Sequence, residues 1–266
     1  MGFEEIYKME DEFEKVSAIY DIFDEAARLE SKAANIEFIT TVKYIEKYLK
    51  PGMKILDLGA GTGRYSLYFS EKGYEVVAIE LVKKHAEAIE KSKTEKMNLT
   101  VIEGDALEKL KSIEANSFDI ILCFGPLYHL EKAKDREECV NEIKRVCTTN
   151  GMMFFAFINN DMVITTQTMC YDPHYMESGE FNRETFKVDD FPFVFYTVSG
   201  ARELIKECEL VIEKEVASDG MNELLADKIN MLNDASYEQW LKYHFYVCEK
   251  PEFIGTSNHL LFIAKK

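Results

Sequence analysis

The chain has 266 residues, 47% hydrophobic and 30% charged, a globular composition with enough apolar material for a large core. With 32 Lys and Arg against 48 Asp and Glu the formal net charge is −16, and no run of Lys and Arg offers a basic patch. Nucleic acid and anionic membrane surfaces are therefore poor partners. The longest apolar runs are strand-length, short of the ~20 residues of a spanning helix. The acidic stretch from Met1 to Asp11 lacks the apolar segment of a signal peptide. The expectation is a soluble, cytoplasmic protein. Its six cysteines (Cys123, Cys139, Cys147, Cys170, Cys208, Cys248) form no C-x-x-C pair and read as thiols of a reducing compartment.

Two helices are expected in the first fifty residues. Phe13, Val16, Tyr20, Phe23 and Ala27 make one stripe at helical spacing, and Phe38, Val42, Ile45 and Leu49 a second. Pro51-Gly52 stops the second helix. Strand and helix then alternate. Strands are expected at 54–58, 75–80, 99–103, 118–123 and 152–158, with helices over 64–72, 83–91 and 135–147. The strands are apolar runs rather than clean alternations, as in parallel strands covered on both faces. From Asn159 to Val198 the alternation breaks into an aromatic-rich segment, too long for a plain connection and expected to be a lid. Within it Phe191, Phe193, Phe195 and Tyr196 alternate like a strand and read as core. Beyond it, Ala201, Leu204, Ile205 and Cys208 face inward on a helix, 210–216 is an edge strand, 223–246 is largely helical, and 259–264 is an interior strand. Trp240, Leu241 and Tyr243 belong to that helical stretch, as lid or core. One domain over 1–266 is expected: a helical cap to about 50, a core over about 51–158, the insertion over about 159–198, and completing elements to 266.

The informative segment is ILDLGAGTG, residues 55–63. A strand, a glycine turn and a helix in that order build a nucleotide-type site, because glycine lets backbone N–H groups approach a ligand closely. A dinucleotide fingerprint requires G-x-G-x-x-G, but here Arg64 stands three after Gly61, and the spacing G-x-G-x-G argues against a nicotinamide oxidoreductase. Glu80 ends the second strand, where an acid can accept from a ribose diol.

These residues resemble the class I S-adenosylmethionine-dependent methyltransferases, of the small-molecule branch. ILDLGAGTG is similar to the family's first motif, Glu80 to its ribose acid, Gly104-Asp105-Ala106 to its adenine motif and FDIILC at 118–123 to its fourth strand. Gly125 to Leu130 (GPLYHL) and Gly255 to Leu260 (GTSNHL) resemble one subset, and Arg145-Val146 with Asn150-Gly151 fits the approach to the fifth strand. The resemblance runs over about 51–158. Two departures stand out. Cys147-Thr148-Thr149-Asn150 replaces the common Leu-Lys-Pro-Gly. Gly125-Pro126 stands where nucleic-acid amine methylases carry Asn/Asp-Pro-Pro-Tyr/Phe, which argues against exocyclic base methylation.

The resemblance implies an α/β, Rossmann-like, doubly wound sheet of seven strands in the order 3-2-1-4-5-7-6, with strand 7 antiparallel. It implies that Gly59, Ala60, Gly61 and Gly63 cradle the methionine part of S-adenosylmethionine while Asp57 holds its ammonium. Glu80 would take the ribose, Leu81 pack on the adenine, and Asp105 accept from the adenine amino group beside Gly104 and Ala106. Phe124 and Gly125 would line the sulfonium side. His129 is either a base for the acceptor or a residue that holds its loop, and Tyr128 carries the same alternatives. Tyr20 and Arg28 could cap the site but read as packing and surface. His174, His244 and His259 form no metal-ligand spacing, so no metal is expected. The expected activity is methyl transfer to a small-molecule acceptor, leaving S-adenosylhomocysteine. The alternatives are an enzyme acting on tRNA or protein, and a non-catalytic cofactor-binding module. The acceptor and the oligomeric state are not legible.

Overall fold

A computed structural model describes residues 2–23 and 28–266 of the chain; the predicted stripe residue Ala27 lies outside them. Helices α1 (Phe3–Tyr7), α2 (Glu12–Ile22) and α3 (Lys32–Glu46) precede the sheet. The Asp11 carboxylate caps α2 by accepting from the Phe13 and Glu14 amides, and Ser31 caps α3. Three helices thus stand where two were expected. The apolar stripe of α2 is also divided. Ile19 and Ala18 pack on Ile6 of α1, whereas Phe13, Val16 and Tyr20 face a cavity described below.

Four βα steps and a fifth strand follow: β1 (Lys54–Leu58), α4 (Arg64–Glu71), β2 (Glu75–Glu80), α5 (Lys83–Ser92), β3 (Leu99–Glu103), α6 (Ala106–Lys111), β4 (Phe118–Cys123), α7 (Pro126–His129) with α8 (Ala133–Val146), and β5 (Cys147–Asn159). β1 to β4 have the expected bounds. β5 begins five residues early. Cys147 pairs with Phe118, the register then shifts, and Met152 pairs with Ile120. The glycine at 151 makes this irregularity possible, because a Cβ there would lie 2.6 Å from Cys147 Sγ and 2.8 Å from the Asp119 carbonyl.

The insertion contains α9 (Asn160–Thr166), a π turn (Gln167–Tyr171) and the two-residue strand β6 (Phe195–Tyr196). Then come α10 (Val198–Glu207), β7 (Val211–Ala217), α11 (Ala226–Asn230), α12 (Asp234–Val247), α13 (Pro251–Ile254) and β8 (His259–Lys265). The sheet order is β3-β2-β1-β4-β5-β8-β7, with β8 antiparallel to both neighbours and β6 beside the end of β5. This is the expected order with one short strand added. Only Phe195 and Tyr196 of the alternating aromatics pair, because Pro192 lacks a donor and Thr197 already caps α10.

The central strands are buried on both faces. Leu56, Leu58 and Ile121 pack toward α8 and α10, and Ile55, Ile120 and Leu122 toward α3 and α4. β7 forms the edge, as expected. Five of the cysteines are buried and Cys170 is exposed. Among the described residues no helix is long and apolar enough to cross a membrane.

Candidate active site

A cavity of about 1140 Å³, counting its open mouth, lies at the carboxyl ends of β1, β2, β3 and β4. This is where parallel α/β sheets bind ligands. The turn after β1 builds its floor. Gly59 and Gly61 have φ of +70° and +55°, left-handed values that favour glycine. A Cβ on Gly59 would sit 3.0 Å from Gly125 Cα and 3.1 Å from Pro126 Cδ, so the β1 turn and the loop after β4 touch only as glycine backbone. This is a cradle that side chains would fill.

Four acids line the walls. The buried Glu80 carboxylate is fixed by accepting from the Gly61 amide at 2.7 Å and the Val82 amide at 2.8 Å. Asp57, also buried, accepts from the Ser66 hydroxyl at 2.6 Å, yet burial pushes its carboxyl up to about 7. Removing a carboxylate from water penalises its charged form. Asp105 caps α6 by accepting from the Glu108 amide, and burial raises it too. Glu12 comes from α2.

Every predicted cofactor residue lines this cavity except Gly63: Asp57, Gly59, Ala60, Gly61, Glu80, Leu81, Gly104, Asp105, Ala106, Phe124 and Gly125 are all in its wall. Gly63 serves packing instead. A Cβ there would lie 2.7 Å from Ile89 Cγ1, so glycine lets α4 and α5 close together.

Tyr128 and His129 are in the wall as well. The Tyr128 hydroxyl donates to the Phe124 carbonyl, tightening α7 against the end of β4. His129 Nε2 lies 3.0 Å from the Tyr20 hydroxyl, and its buried Nδ1 has no hydrogen-bond partner among the described residues. Burial holds this imidazole neutral, pushed down to about 3, so placing a proton on it is costly.

Sequence reasoning underrated the cap. Tyr20 and Arg28, read as packing and surface, both line the cavity beside Phe13, Val16 and Leu29. The spacing of Phe13, Val16 and Tyr20 was a visible signal, but periodicity cannot tell a core face from a cavity face. α2 is tied across the cavity by Lys15–Glu131 at 2.7 Å, Lys132–Glu12 at 2.6 Å and Lys84–Asp21 at 2.5 Å. The expected lid has a different part. No residue of 159–198 is in the wall; the Val194 amide donates to the Tyr128 carbonyl, and Phe193 packs against His129 at 5.4 Å and Phe23 at 5.8 Å. α2 covers, and the insertion braces.

The metal expectation rested on sequence spacing, and the fold adds a grouping that spacing could not reveal. Donor atoms of Glu37, Asp219 and His259 lie within 4.8 Å of one another. His259 Nδ1 is 2.7 Å from Asp219, and Glu37 accepts from Arg28 at 2.7 Å. Burial opposes charge on His259, but the carboxylates of Glu37 and Asp219 outweigh it and raise the imidazole to about 9. The grouping is a set of ion pairs behind Arg28.

Comparison with known proteins agrees with this geometry. Residues 56–155 match a family described as a methyltransferase domain. The glycine/sarcosine N-methyltransferase of Aphanothece halophytica is 24% identical over 139 residues, 52% of each chain. A ubiquinone biosynthesis O-methyltransferase of Actinobacillus pleuropneumoniae is 30% identical over 118 residues, 42% of this chain and 48% of its own. The chain spans about a quarter to a half of the length of the curated relatives it matches. Among solved structures, a Pyrococcus horikoshii protein superposes with a TM-score of 0.60 at 18% identity, covering 93% of this chain and 98% of its own. A methyltransferase of Methanosarcina mazei gives 0.55 at 18%, covering 84% and 96%. At such identity these two establish the fold.

Proposed function

We propose that this chain, whose residues 56–155 match a methyltransferase domain, is a class I S-adenosylmethionine-dependent methyltransferase that methylates a small-molecule acceptor inside the cavity covered by α2. One observation carries the reading: a single cavity gathers the glycine turn, Glu80, Asp105 and the loop after β4 beneath a helical cover.

The residues fit the cofactor. The glycine backbone of the β1 turn would admit the methionine arm, Asp57 would hold its ammonium, Glu80 would accept from the ribose hydroxyls and Asp105 from the adenine amine. When bound, S-adenosylmethionine supplies an electrophilic methyl on a good leaving group. The protein's share is to orient the acceptor in line and exclude water. α2 and its ion pairs do the second. His129, neutral and hydrogen-bonded to Tyr20, serves the first by fixing α2 against the loop after β4. A proton acceptor with so depressed a basicity would work against its surroundings. Macromolecular acceptors fit less well, because a covered cavity in a chain of net charge −16 does not suit RNA.

Calorimetric titration with S-adenosylhomocysteine tests the cofactor reading. Micromolar binding that disappears in a folded Gly61→Val variant is expected, and absence of binding to folded, ligand-free wild type overturns it. Methyl transfer from labelled S-adenosylmethionine to glycine, sarcosine and catechol-type phenols then tests the acceptor class.

A further inference from the structure

We infer that His85 is a positioning residue for the ribose acid Glu80, and that Tyr20 of the cover rests on it, so that seating the ribose and closing α2 draw on one set of contacts. The inference rests on the methyltransferase reading and adds to it a residue outside the cavity wall. His85 stands in the first turn of α5 and is not among the side chains that line the cavity. It is only 5% exposed, and its Nδ1 is buried with no hydrogen-bond partner among the described residues. An idle polar atom in such a place is costly, and native structures seldom keep one without a use.

The acid beside it is Glu80. His85 Nδ1 lies 3.7 Å from Glu80 Oε1, beyond a hydrogen bond, and a shift of less than about 1 Å brings the two into range. Oε1 already accepts from the Val82 amide and Oε2 from the Gly61 amide. One donor on each oxygen leaves the carboxylate able to rock, and a third, from Nδ1, fixes its plane. A carboxylate has about four lone-pair sites, so a ribose hydroxyl still finds an acceptor.

The same imidazole meets the cover. Its ring centre is 5.2 Å from that of Tyr20, with the planes at 75°, and Tyr20 meets His129 edge-on at 5.4 Å, its hydroxyl 3.0 Å from His129 Nε2. Tilted ring pairs at this spacing attract. Lys84, the neighbour of His85, donates to the Tyr20 carbonyl at 2.8 Å and to Asp21. α2 thus reaches the ribose acid through His85 and the loop after β4 through His129, with Tyr20 common to both. A ribose that settles Glu80 draws His85 toward it, and the Tyr20 ring follows.

Calorimetry with 5′-methylthioadenosine and its 2′-deoxy counterpart tests the first link, because the two differ only in a ribose hydroxyl. Wild type is expected to prefer the ribose form. His85→Phe and His85→Leu fill the space without the nitrogen; both should weaken the ribose form about tenfold and leave the deoxy form unchanged. His85→Asn, whose amide donates from a similar place, should recover part of the preference. The second link is read from S-adenosylhomocysteine affinity. Joining Tyr20→Leu to His85→Leu should cost less than the product of the two single losses, as for residues that act through one contact. An unchanged ribose preference in the folded variants, or equal weakening of both nucleosides, overturns the positioning role. Losses that multiply overturn the coupling to α2. Wild type that binds neither nucleoside nor S-adenosylhomocysteine removes the methyltransferase premise instead.

Discussion

Asp57 lies buried beneath the glycine turn with its carboxyl at about 7, so near neutrality it is only part ionised. An acid whose folded value lies above its unfolded one favours the native state most at low pH, and that advantage is lost as pH rises through the folded value. The ionised carboxylate is therefore a mild strain on the ligand-free fold that an ammonium group relieves. S-adenosylhomocysteine affinity is expected to be level above pH 7 and to fall about tenfold per unit below it. Asp57→Asn should be weaker throughout and lack that slope, and calorimetry between pH 5.5 and 8.5 reads both. Glu80 is held by two backbone amides. Glu80→Ala should cost about 1–3 kcal/mol of binding through lost charge-assisted hydrogen bonds, measured in the same titration. Both acids, with Gly59 and Gly61, were legible because one unbroken segment of sequence brings the glycine turn between strand and helix. Gly63 was legible as a glycine but not in purpose, since Ile89, which it accommodates, belongs to the next helix.

At the scale of elements, β1 to β4 were read to the residue because each is a short apolar run bounded by turn residues. The cap and the insertion were read only in outline. What α2 covers is decided by partners more than sixty residues away: Lys84, Glu131 and Lys132. What the insertion braces is decided by one ring, Phe193, set against His129, Tyr128 and Phe23. Removing that ring should loosen the cover without touching the cavity wall. Phe193→Ala is expected to weaken S-adenosylhomocysteine by about 1 kcal/mol, in line with lost aromatic contacts, and to speed its release in stopped-flow measurements. Wild-type release rates would reduce the insertion to a separate surface layer.

Across the whole molecule, the ion pairs around His259 join parts that meet only in the folded chain: Arg28, α3 through Glu37, the loop after β7 through Asp219, and β8. No local pattern announces such a group, which is why sequence spacing left His259 unassigned. Its imidazole is raised to about 9 in the fold. The resulting stability, on the order of 2–3 kcal/mol, is fully present below the unfolded value near 6.5 and is lost as pH rises through 9. Thermal melts should show Tm falling by several degrees between pH 6.5 and 9, and His259→Gln should flatten that fall while starting lower. The ties that hold α2 have a different consequence. All of their side chains but Lys15, which is largely buried, are exposed or half-exposed, and such pairs are worth about 0–1 kcal/mol each and are weakened by dissolved ions. The residence time of the spent cofactor is thus set partly by the medium, and an enzyme limited by product departure would turn over faster in the ionic strength of a cell than in dilute buffer.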